Sequence, residues 1–333
     1  MSATSVLNNL DREKYNVVPV GIRKDGRWLY YPGPVRELET GRWEQDPACV
    51  PAALCPGSGK KGLVLFEGDR VRELPVDVVF PVLHGKNGED GTVQGLLEMC
   101  GLPYVGCGVL GSALCMDKVA ANQVMDAAGI ARCAWDYMER WQRPDFDAIA
   151  ARVAQKLGWP IFVKPANAGS SVGISKARDK AELERAVDLA LLHDSRVVFE
   201  RFVTGQEVEC AVYGNEDVVS TLPGEILASA EFYTYDDKYV SGTSRTAIPA
   251  NLSAEKLDEV KEIAQRAYRA LCCRGLARVD FFVEAGTGKV LLNEINTLPG
   301  FTSISMYPKL CIAAGDTYPG LLDRLIDLAL EAH

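Results

Sequence analysis

Oxygen-bearing side chains occur on two neighbouring apolar runs near the carboxyl end of the sequence. Asp280 lies in the first run, and Glu294 and Asn296 lie in the second, on either side of the Gly-containing segment 285–288. This pattern predicts an antiparallel hairpin, in which alternation places the three side chains on one face. Mg²⁺ prefers such oxygen ligands and completes its shell with water and phosphate oxygens. The pattern therefore predicts a magnesium site, and a solvated outer face of the hairpin is the alternative.

A turn and a basic side chain adjoin this hairpin. Gly300, in the segment 298–303, allows a backbone N–H to approach a ligand closely. Arg278 comes two residues before Asp280 and so shares its face. A fixed cation and a backbone donor are what a developing oxyanion requires. The alternative for Arg278 is a salt bridge to Glu294.

Two lysines and a loop of small residues could bind phosphate. Lys164 ends a predicted strand, and the loop 167–173 offers backbone N–H groups together with the hydroxyls of Ser170 and Ser171. Such a loop can also close over a nucleotide as a lid. Lys118, just inside a predicted helix, is the second lysine. Alone, the loop would be an ordinary connection and Lys118 a surface charge.

The run 76–83 is nearly continuous in β-branched residues, which is typical of a buried parallel strand. It ends at a Gly-rich loop that contains His84 and Glu89, and ligands bind at the carboxyl ends of parallel strands. Both are therefore candidate binding residues. In the alternative interpretation, His84 pairs with backbone and Glu89 caps the helix that begins near Thr92.

A second function class rests on Gly106, Gly108 and Gly111, which match the spacing of a dinucleotide-binding loop, with Asp126 twenty residues later. This would indicate an NAD-dependent oxidoreductase. The context argues against it, because the preceding strand is short and Asp126 falls inside a predicted helix, 115–128.

Composition is that of a globular protein. The residues are 47% hydrophobic and 24% charged. A length of 333 residues predicts two or three domains. A net charge of -9 disfavours a nucleic-acid partner. Ten scattered cysteines with only three histidines favour free thiols in a reducing compartment. The absence of a transmembrane-length apolar run or signal peptide predicts a cytoplasmic protein with no membrane partner.

The start of the chain departs from the usual α/β order. Residues 2–10 read as a helix and 15–22 as a strand, whereas such domains open with a strand whose carboxyl end carries a ligand loop. A first strand and its loop are therefore expected to be missing.

Taken together, six segments resemble the D-alanine:D-alanine ligase family, which has the ATP-grasp fold. In chain order they are HGKNGEDGTVQG, GSALCMDK, VKPANAGSSVGISK, FYTYDDKY, GLARVDFF and NEINTLPGFTSISMYP. The resemblance implies an α/β protein, α+β in part, with three domains. They are a Rossmann-like parallel sheet without its first strand (1–107), a central lid domain with the Gly/Ser loop (108–199) and an antiparallel domain with the magnesium site (200–333).

The resemblance also implies roles for individual residues. The ATP-binding residues that it implies are Lys118, Lys164, Ser171, Glu200, Val203, Glu207 and Lys238. Two Mg²⁺ ions, or Mn²⁺, are held by Asp280, Glu294 and Asn296. The catalytic set is Arg278, Gly300, Ser170, Tyr239 and Ser305. Substrate is bound by His84, Glu89, Ser305 and Met306.

In the implied reaction, one D-alanine is activated as an acyl-phosphate and the amine of a second displaces phosphate. Tyr239 and Met306 favour D-alanine over D-lactate as acceptor, whereas D-serine stays open, since one hydroxyl is a small difference for a pocket to reject. The family also suggests a homodimer.

The sequence departs from the family at its front. The family's first strand, Gly-rich turn and substrate-binding glutamate are absent from this chain. We expect a truncated chain or a late start codon, and restored upstream codons should raise turnover. A nucleotide-binding remnant without catalysis is therefore a third possibility.

Overall fold

The computed structural model describes residues 1–57, 61–167, 169, 173–227 and 245–332. Predicted site residues outside this range are Ser170, Ser171, Lys238 and Tyr239. No helix within the described range is both long and apolar enough to cross a membrane.

The first sheet is antiparallel, in the order β1-β2-β3-β4-β5. Its strands are β1 (Val20–Ile22), β2 (Trp28–Tyr30), β3 (Val50–Leu54), β4 (Gly62–Glu67) and β5 (Arg70–Pro75). The helical elements of this part of the chain are α1 (Ser2–Asn9), α2 (Arg36–Glu39) and a 3₁₀ turn, Arg42–Gln45. Alternation in β4 buries Leu63 and Leu65, which give the sheet its own small core.

Parallel pairing in this part of the chain centres on Val79. The Val79 N–H donates to Pro103 O at 2.8 Å, and the Val105 N–H donates to Val79 O at 2.9 Å. The run 76–83 is thus parallel to the segment around Tyr104, as predicted. The predicted buried strand is wrong, because the run forms a single bridge and is mostly half-buried. The loop that follows this run leads to α3 (Thr92–Met99).

The central sheet has the order β6-β9-β7-β8. Its strands are β6 (Trp135–Glu139), β7 (Ile161–Pro165), β8 (Ser175–Ala177) and β9 (Arg196–Arg201). A 3₁₀ turn, Arg140–Asp145, leads into α6 (Phe146–Leu157), and α7 (Lys180–Leu191) follows β8. The apolar faces of both helices cover one side of the sheet and form a single core with it.

The predicted helix 115–128 is two helices, α4 (Val109–Met116) and α5 (Lys118–Ala127). The chain breaks between them at Asp117, whose carboxylate accepts hydrogen bonds from the Val119 and Ala120 N–H groups. This N-cap starts a new helix. Lys118 is consequently the first residue of α5.

The C-terminal sheet is antiparallel, in the order β13-β12-β10-β14-β15 with β11 beside β10. Its strands are β10 (Gly205–Gly214), β11 (Val219–Ser220), β12 (Gly224–Leu227), β13 (Arg245–Ala247), β14 (Gly275–Glu284) and β15 (Val290–Asn296). The helices are α8 (Ala254–Ala270), α9 (Met306–Ala313) and α10 (Tyr318–Glu331). α8 packs on one face, whereas α9 and α10 pack on part of the other. The predicted hairpin is β14–β15 and is confirmed.

Candidate active site

Three carboxylates form a row across neighbouring strands of the C-terminal sheet. Asp280 on β14 pairs in register with Glu209 on β10 and with Glu294 on β15. Residues paired in register project to the same face. Asp280 and Glu209 are almost fully buried, with 1% and 2% of their surface exposed. Buried anions at this spacing require cations.

A β-bulge lies at this row. Asp280 pairs with Glu294 but Phe281 pairs with Leu292, so Asn293 is the extra residue. A bulge bends its strand and re-aims the side chains beside it. Beyond the bulge Asn296 pairs with Arg278, and the predicted placement of the three metal candidates on one face is confirmed.

Arg278 is the cation within this row. Its Nε and Nη2 donate to the two oxygens of Asp280, each at 2.7 Å, and Nε also lies 3.0 Å from Glu209 Oε2. Asn296 Nδ2 donates to Asp280 Oδ2 at 2.9 Å. Burial alone would lower the pKa of Arg278, but Asp280 and Glu209 outweigh it and hold that pKa well above its usual value. The guanidinium is permanently charged.

The donor set fits magnesium. Within the described residues no three His, Cys, Asp or Glu side chains group as a metal site. Asp280 and Glu294 supply two opposed carboxylates with the amide of Asn296 beside them. Mg²⁺ takes one or two carboxylates and leaves its other positions to water and phosphate. A metal at Asp280 would compete with Arg278 for the same oxygens.

Lys164 and Lys118 lie near this face. Lys164 Nζ, on β7, is 2.5 Å from Glu200 Oε2 on the adjacent β9. Burial lowers the pKa of Lys164, but the carboxylates of Glu200 and Glu294 outweigh it and raise that pKa. Burial lowers the pKa of Lys118, and Glu294 opposes that shift. Both lysines thus lie within electrostatic reach of Glu294.

Three of the predicted ATP-binding residues lie close together in the sequence, where the chain passes from the central sheet to the C-terminal sheet. Glu200 lies near the end of β9, Val203 lies in the connection, and Glu207 lies on β10. Glu207 is two residues from Glu209 and so points to the same face. The aromatic ring beside them is Phe202, which contacts Phe162 and the Lys176 ammonium, 3.9 Å from its centroid.

His84 joins the loop after Val79 to the turn after β15. Its Nδ1 is 3.1 Å from Leu298 O, and since a carbonyl only accepts, Nδ1 carries the proton. Its Nε2 is 3.3 Å from Ser2 Oγ, which accepts the Phe301 N–H, also at 3.3 Å. Burial lowers the pKa of His84, although the bond to Leu298 opposes it. A neutral imidazole therefore holds the turn.

Glu89 does not cap α3. The Thr92 N–H donates to Asp90 at 3.0 Å, and Asp90 also accepts the Asn87 N–H at 2.8 Å. Glu89 instead accepts the Gly85 N–H. Burial raises the pKa of Glu89 to about 7, and Glu294 adds to that shift. The capping interpretation of Glu89 is wrong: the N-cap of α3 is Gly91, and the carboxylate that accepts the Thr92 N–H at the helix start belongs to Asp90.

The turn after β15 is closely packed around Gly300. Ser305 Oγ accepts the Thr302 N–H at 3.1 Å and lies 2.8 Å from Thr302 Oγ1. A Cβ on Gly300 would lie 2.6 Å from Ser305 Oγ, so a larger residue would displace that hydroxyl. Met306 begins α9 with its side chain in the core, which leaves its backbone at the helix start.

Glu209 was missed in the sequence. Glu207, Val208 and Glu209 alternate charged, apolar, charged, which is the pattern of a strand with one polar face. That signal was present, but it does not say which strand lies alongside. The pairing of β10 with β14, across sixty intervening residues, made Glu209 part of the site.

The glycines of the dinucleotide-like motif serve packing. Gly108 precedes α4 as its N-cap, and a Cβ on Gly111 would lie 2.6 Å from Cys272 O. Asp126 pairs with Arg132 at 2.5 Å and Trp135 Nε1 at 3.0 Å. Gly108 and Gly111 are thus explained by the start and packing of α4, and Asp126 by an ion pair with the buried Arg132 side chain.

The sequence matches two family models over most of its length. One, described as D-ala D-ala ligase N-terminus, covers residues 1–107, and the other, D-ala D-ala ligase C-terminus, covers residues 124–327. The D-alanine–D-alanine ligase of Acetivibrio thermocellus is 46% identical over 100% of this chain and 92% of that protein. That of Thermoanaerobacter sp. is 48% identical, with the same two coverages.

Two solved structures are similar to this protein over nearly the whole chain. The VanG D-Ala:D-Ser ligase of Enterococcus faecalis has a TM-score of 0.89 at 39% identity, covering 98% of this chain and 94% of that one. The D-alanine–D-alanine ligase of Coxiella burnetii has a TM-score of 0.88 at 36% identity, covering 100% and 89%. The predicted ATP-grasp fold is confirmed. The chain belongs to the D-alanine–D-alanine ligase family, and the oxidoreductase alternative is wrong.

Proposed function

We propose that this protein joins two molecules of D-alanine, with ATP and Mg²⁺, to form D-alanyl-D-alanine for peptidoglycan precursor synthesis. Membership of the family makes it an ATP-dependent, ADP-forming ligase. The observation that carries the proposal is the row Glu209–Asp280–Glu294 with Arg278 bound inside it. A row of three acids, two of them almost fully buried, with one embedded cation has the oxygen ligands for a metal and the charge for an oxyanion.

In the first step the carboxylate of one D-alanine attacks the γ-phosphorus of ATP, and ADP leaves. Lys118 and Lys164 bind phosphate oxygens, and the ion pair with Glu200 fixes the Lys164 ammonium at its strand. Asp280, Glu294 and Asn296 would hold Mg²⁺, which when bound neutralises charge on the phosphates. The adenosine part lies against the segment from Glu200 to Glu207.

In the second step the amine of another D-alanine attacks the acyl-phosphate carbon, and inorganic phosphate leaves. Arg278 and the Gly300 N–H stabilise the oxyanion of the tetrahedral intermediate. His84 hydrogen-bonds to the Leu298 carbonyl, and so it holds the turn that carries Gly300. Glu89 accepts the Gly85 N–H in the loop that carries His84. Ser305 and the backbone of Met306 bind the acceptor's carboxylate. Ser170, Ser171, Lys238 and Tyr239 keep their predicted roles as part of this proposal.

A D-serine acceptor is the second candidate, and the similarity to VanG is the observation that favours it. The curated relatives favour D-alanine at higher identity. Phosphate release from ATP should be measured with D-alanine, D-serine and D-lactate in turn, together with the mass of each product. D-alanyl-D-alanine as main product supports the proposal. A mixed dipeptide from a D-alanine and D-serine mixture would replace it with the second candidate, and no ADP would indicate a catalytically inactive remnant.

We also propose a cytoplasmic homodimer. All ten cysteines are free thiols, which suits a reducing compartment. The family suggests the dimer. Analytical ultracentrifugation should give twice the chain mass, and a monomer at micromolar concentration would contradict this.

A further inference from the structure

Glu209 is a buried carboxylate that the proposed mechanism does not use. It lies on β10 in register with Asp280, and its side chain is 3% exposed. Its Oε2 lies 3.0 Å from Arg278 Nε. A buried carboxylate costs stability unless a cation or several donors compensate it. Arg278 is therefore a partner that Glu209 requires.

Arg278 is shared by two carboxylates in different positions. Asp280 holds it through two hydrogen bonds, whereas Glu209 is reached from Nε. The strand order places β14 between β10 and β15, so Glu209 and Glu294 lie on opposite sides of Asp280. With strands about 4.8 Å apart, Glu209 lies roughly 10 Å from the strand that carries Glu294. Glu209 is thus outside the metal set.

We propose that Glu209 is a positioning residue that keeps Arg278 in the site when Asp280 coordinates Mg²⁺. The inference rests on the proposed function. A metal and a guanidinium compete for the oxygens of Asp280, since each hydrogen bond or metal bond uses a carboxylate lone pair. Glu209 gives Arg278 a second anion, already within 3.0 Å, so the guanidinium is retained as Asp280 turns to the metal.

Charge balance leads to the same role. Glu209, Asp280 and Glu294 with Arg278 carry a net formal charge of minus two, the charge that one Mg²⁺ neutralises. Without Glu209, Arg278 would be fully committed to Asp280 and the row would attract the metal less strongly. Both effects weaken Mg²⁺ binding.

The test is the Mg²⁺ dependence of stabilisation by ADP, read as a thermal shift of the whole chain. Glu209→Gln should raise the half-saturating Mg²⁺ concentration by about 10- to 100-fold, the usual effect of losing a group that orients a metal ligand. It should lower kcat, with the KM for D-alanine within about twofold of the original. Glu225→Gln is the matched control. Glu225 is a buried carboxylate on the opposite face of the same sheet, bound to Gln206 at 2.9 Å and Asn251 at 2.7 Å, and its loss should change neither quantity.

A double-mutant cycle separates positioning from charge. In an Arg278→Gln background, Glu209→Gln should add at most about twofold to the Mg²⁺ requirement, because there is no guanidinium left to hold and only the smaller effect of losing one charge remains. The same rise in both backgrounds, or no rise in either, would overturn the inference. If Glu209→Gln fails to fold, Glu209→Asp should still show an intermediate rise. Failure of the original protein to show any Mg²⁺-dependent ADP shift would instead count against the proposed function.

Discussion

The two faces of the C-terminal sheet come from the same strands and do different things. One face carries Glu207, Glu209, Arg278, Asp280, Glu294 and Asn296. The other carries Val208, Cys210, Val279, Phe281 and Ile295, buried against α8. The difference follows from period-two alternation, which lets each strand contribute to both.

The comparison shows how stability and chemistry are divided. Each fully buried large apolar side chain contributes about 1.5–3 kcal/mol. A buried ion pair contributes little or is unfavourable compared with apolar packing, because desolvation opposes the attraction. The apolar face therefore stabilises the sheet and offsets the cost of the charged face. Substitutions on the charged face should therefore lower activity, and substitutions on the apolar face should lower stability.

The largest effect is expected on the charged face. Glu294→Ala should lower kcat at least about 1000-fold, or roughly 4 kcal/mol of activation free energy, because it removes a predicted metal ligand. The melting temperature without ligands should change little, since Glu294 is only partly buried. ADP release and thermal unfolding measure the two quantities. Retained activity would contradict the metal assignment.

The apolar face should show the opposite behaviour. Phe281→Ala removes a fully buried ring and should lower the free energy of unfolding by about 3–5 kcal/mol. Phe66→Ala, on an exposed strand position, is the control and should cost less than about 0.5 kcal/mol. Urea unfolding gives both values. Equal losses would mean that the core of this sheet is not where the structure places it.

A smaller effect concerns pH at the edge of the charged face. The pKa of Glu89 is raised to about 7 from an ordinary value of 4.5, because burial disfavours its charge. Its stabilising contribution is therefore full below about pH 4.5 and is lost as pH rises to about 7, a change of roughly 3 kcal/mol. Glu89→Gln does not titrate, so its stability relative to the original should rise over that interval. A constant difference between pH 4.5 and 7.5 would refute the shift.

The smallest effect is expected at an exposed ion pair. Arg143 contacts Asp188 at 2.7 Å and Glu184 at 3.0 Å on the surface of the central domain. Arg143→Gln should lower the free energy of unfolding by less than about 1 kcal/mol. A loss comparable to that of Phe281→Ala would show that exposed charges, and not the core, dominate stability here.

Local patterns predicted the elements whose signal lies within one segment. The β14–β15 hairpin and the face shared by Asp280, Glu294 and Asn296 both followed from alternation and turn residues. The division of 115–128 into two helices was missed, although Asp117 is a good N-cap, because the apolar pattern continues across it. Glu209 could not be assigned, since strand pairing between distant segments is not encoded in either segment alone. The boundaries at residues 107 and 199 stay predictions.

The most direct test of the charged face is the affinity for ADP with and without Mg²⁺, measured by calorimetry on the original protein and on Asp280→Asn. Mg²⁺ should tighten ADP binding to the original protein by about tenfold or more and leave the affinity of Asp280→Asn nearly unchanged. Equal tightening of both proteins would contradict the account, because the metal would then bind without the carboxylate at the centre of the row.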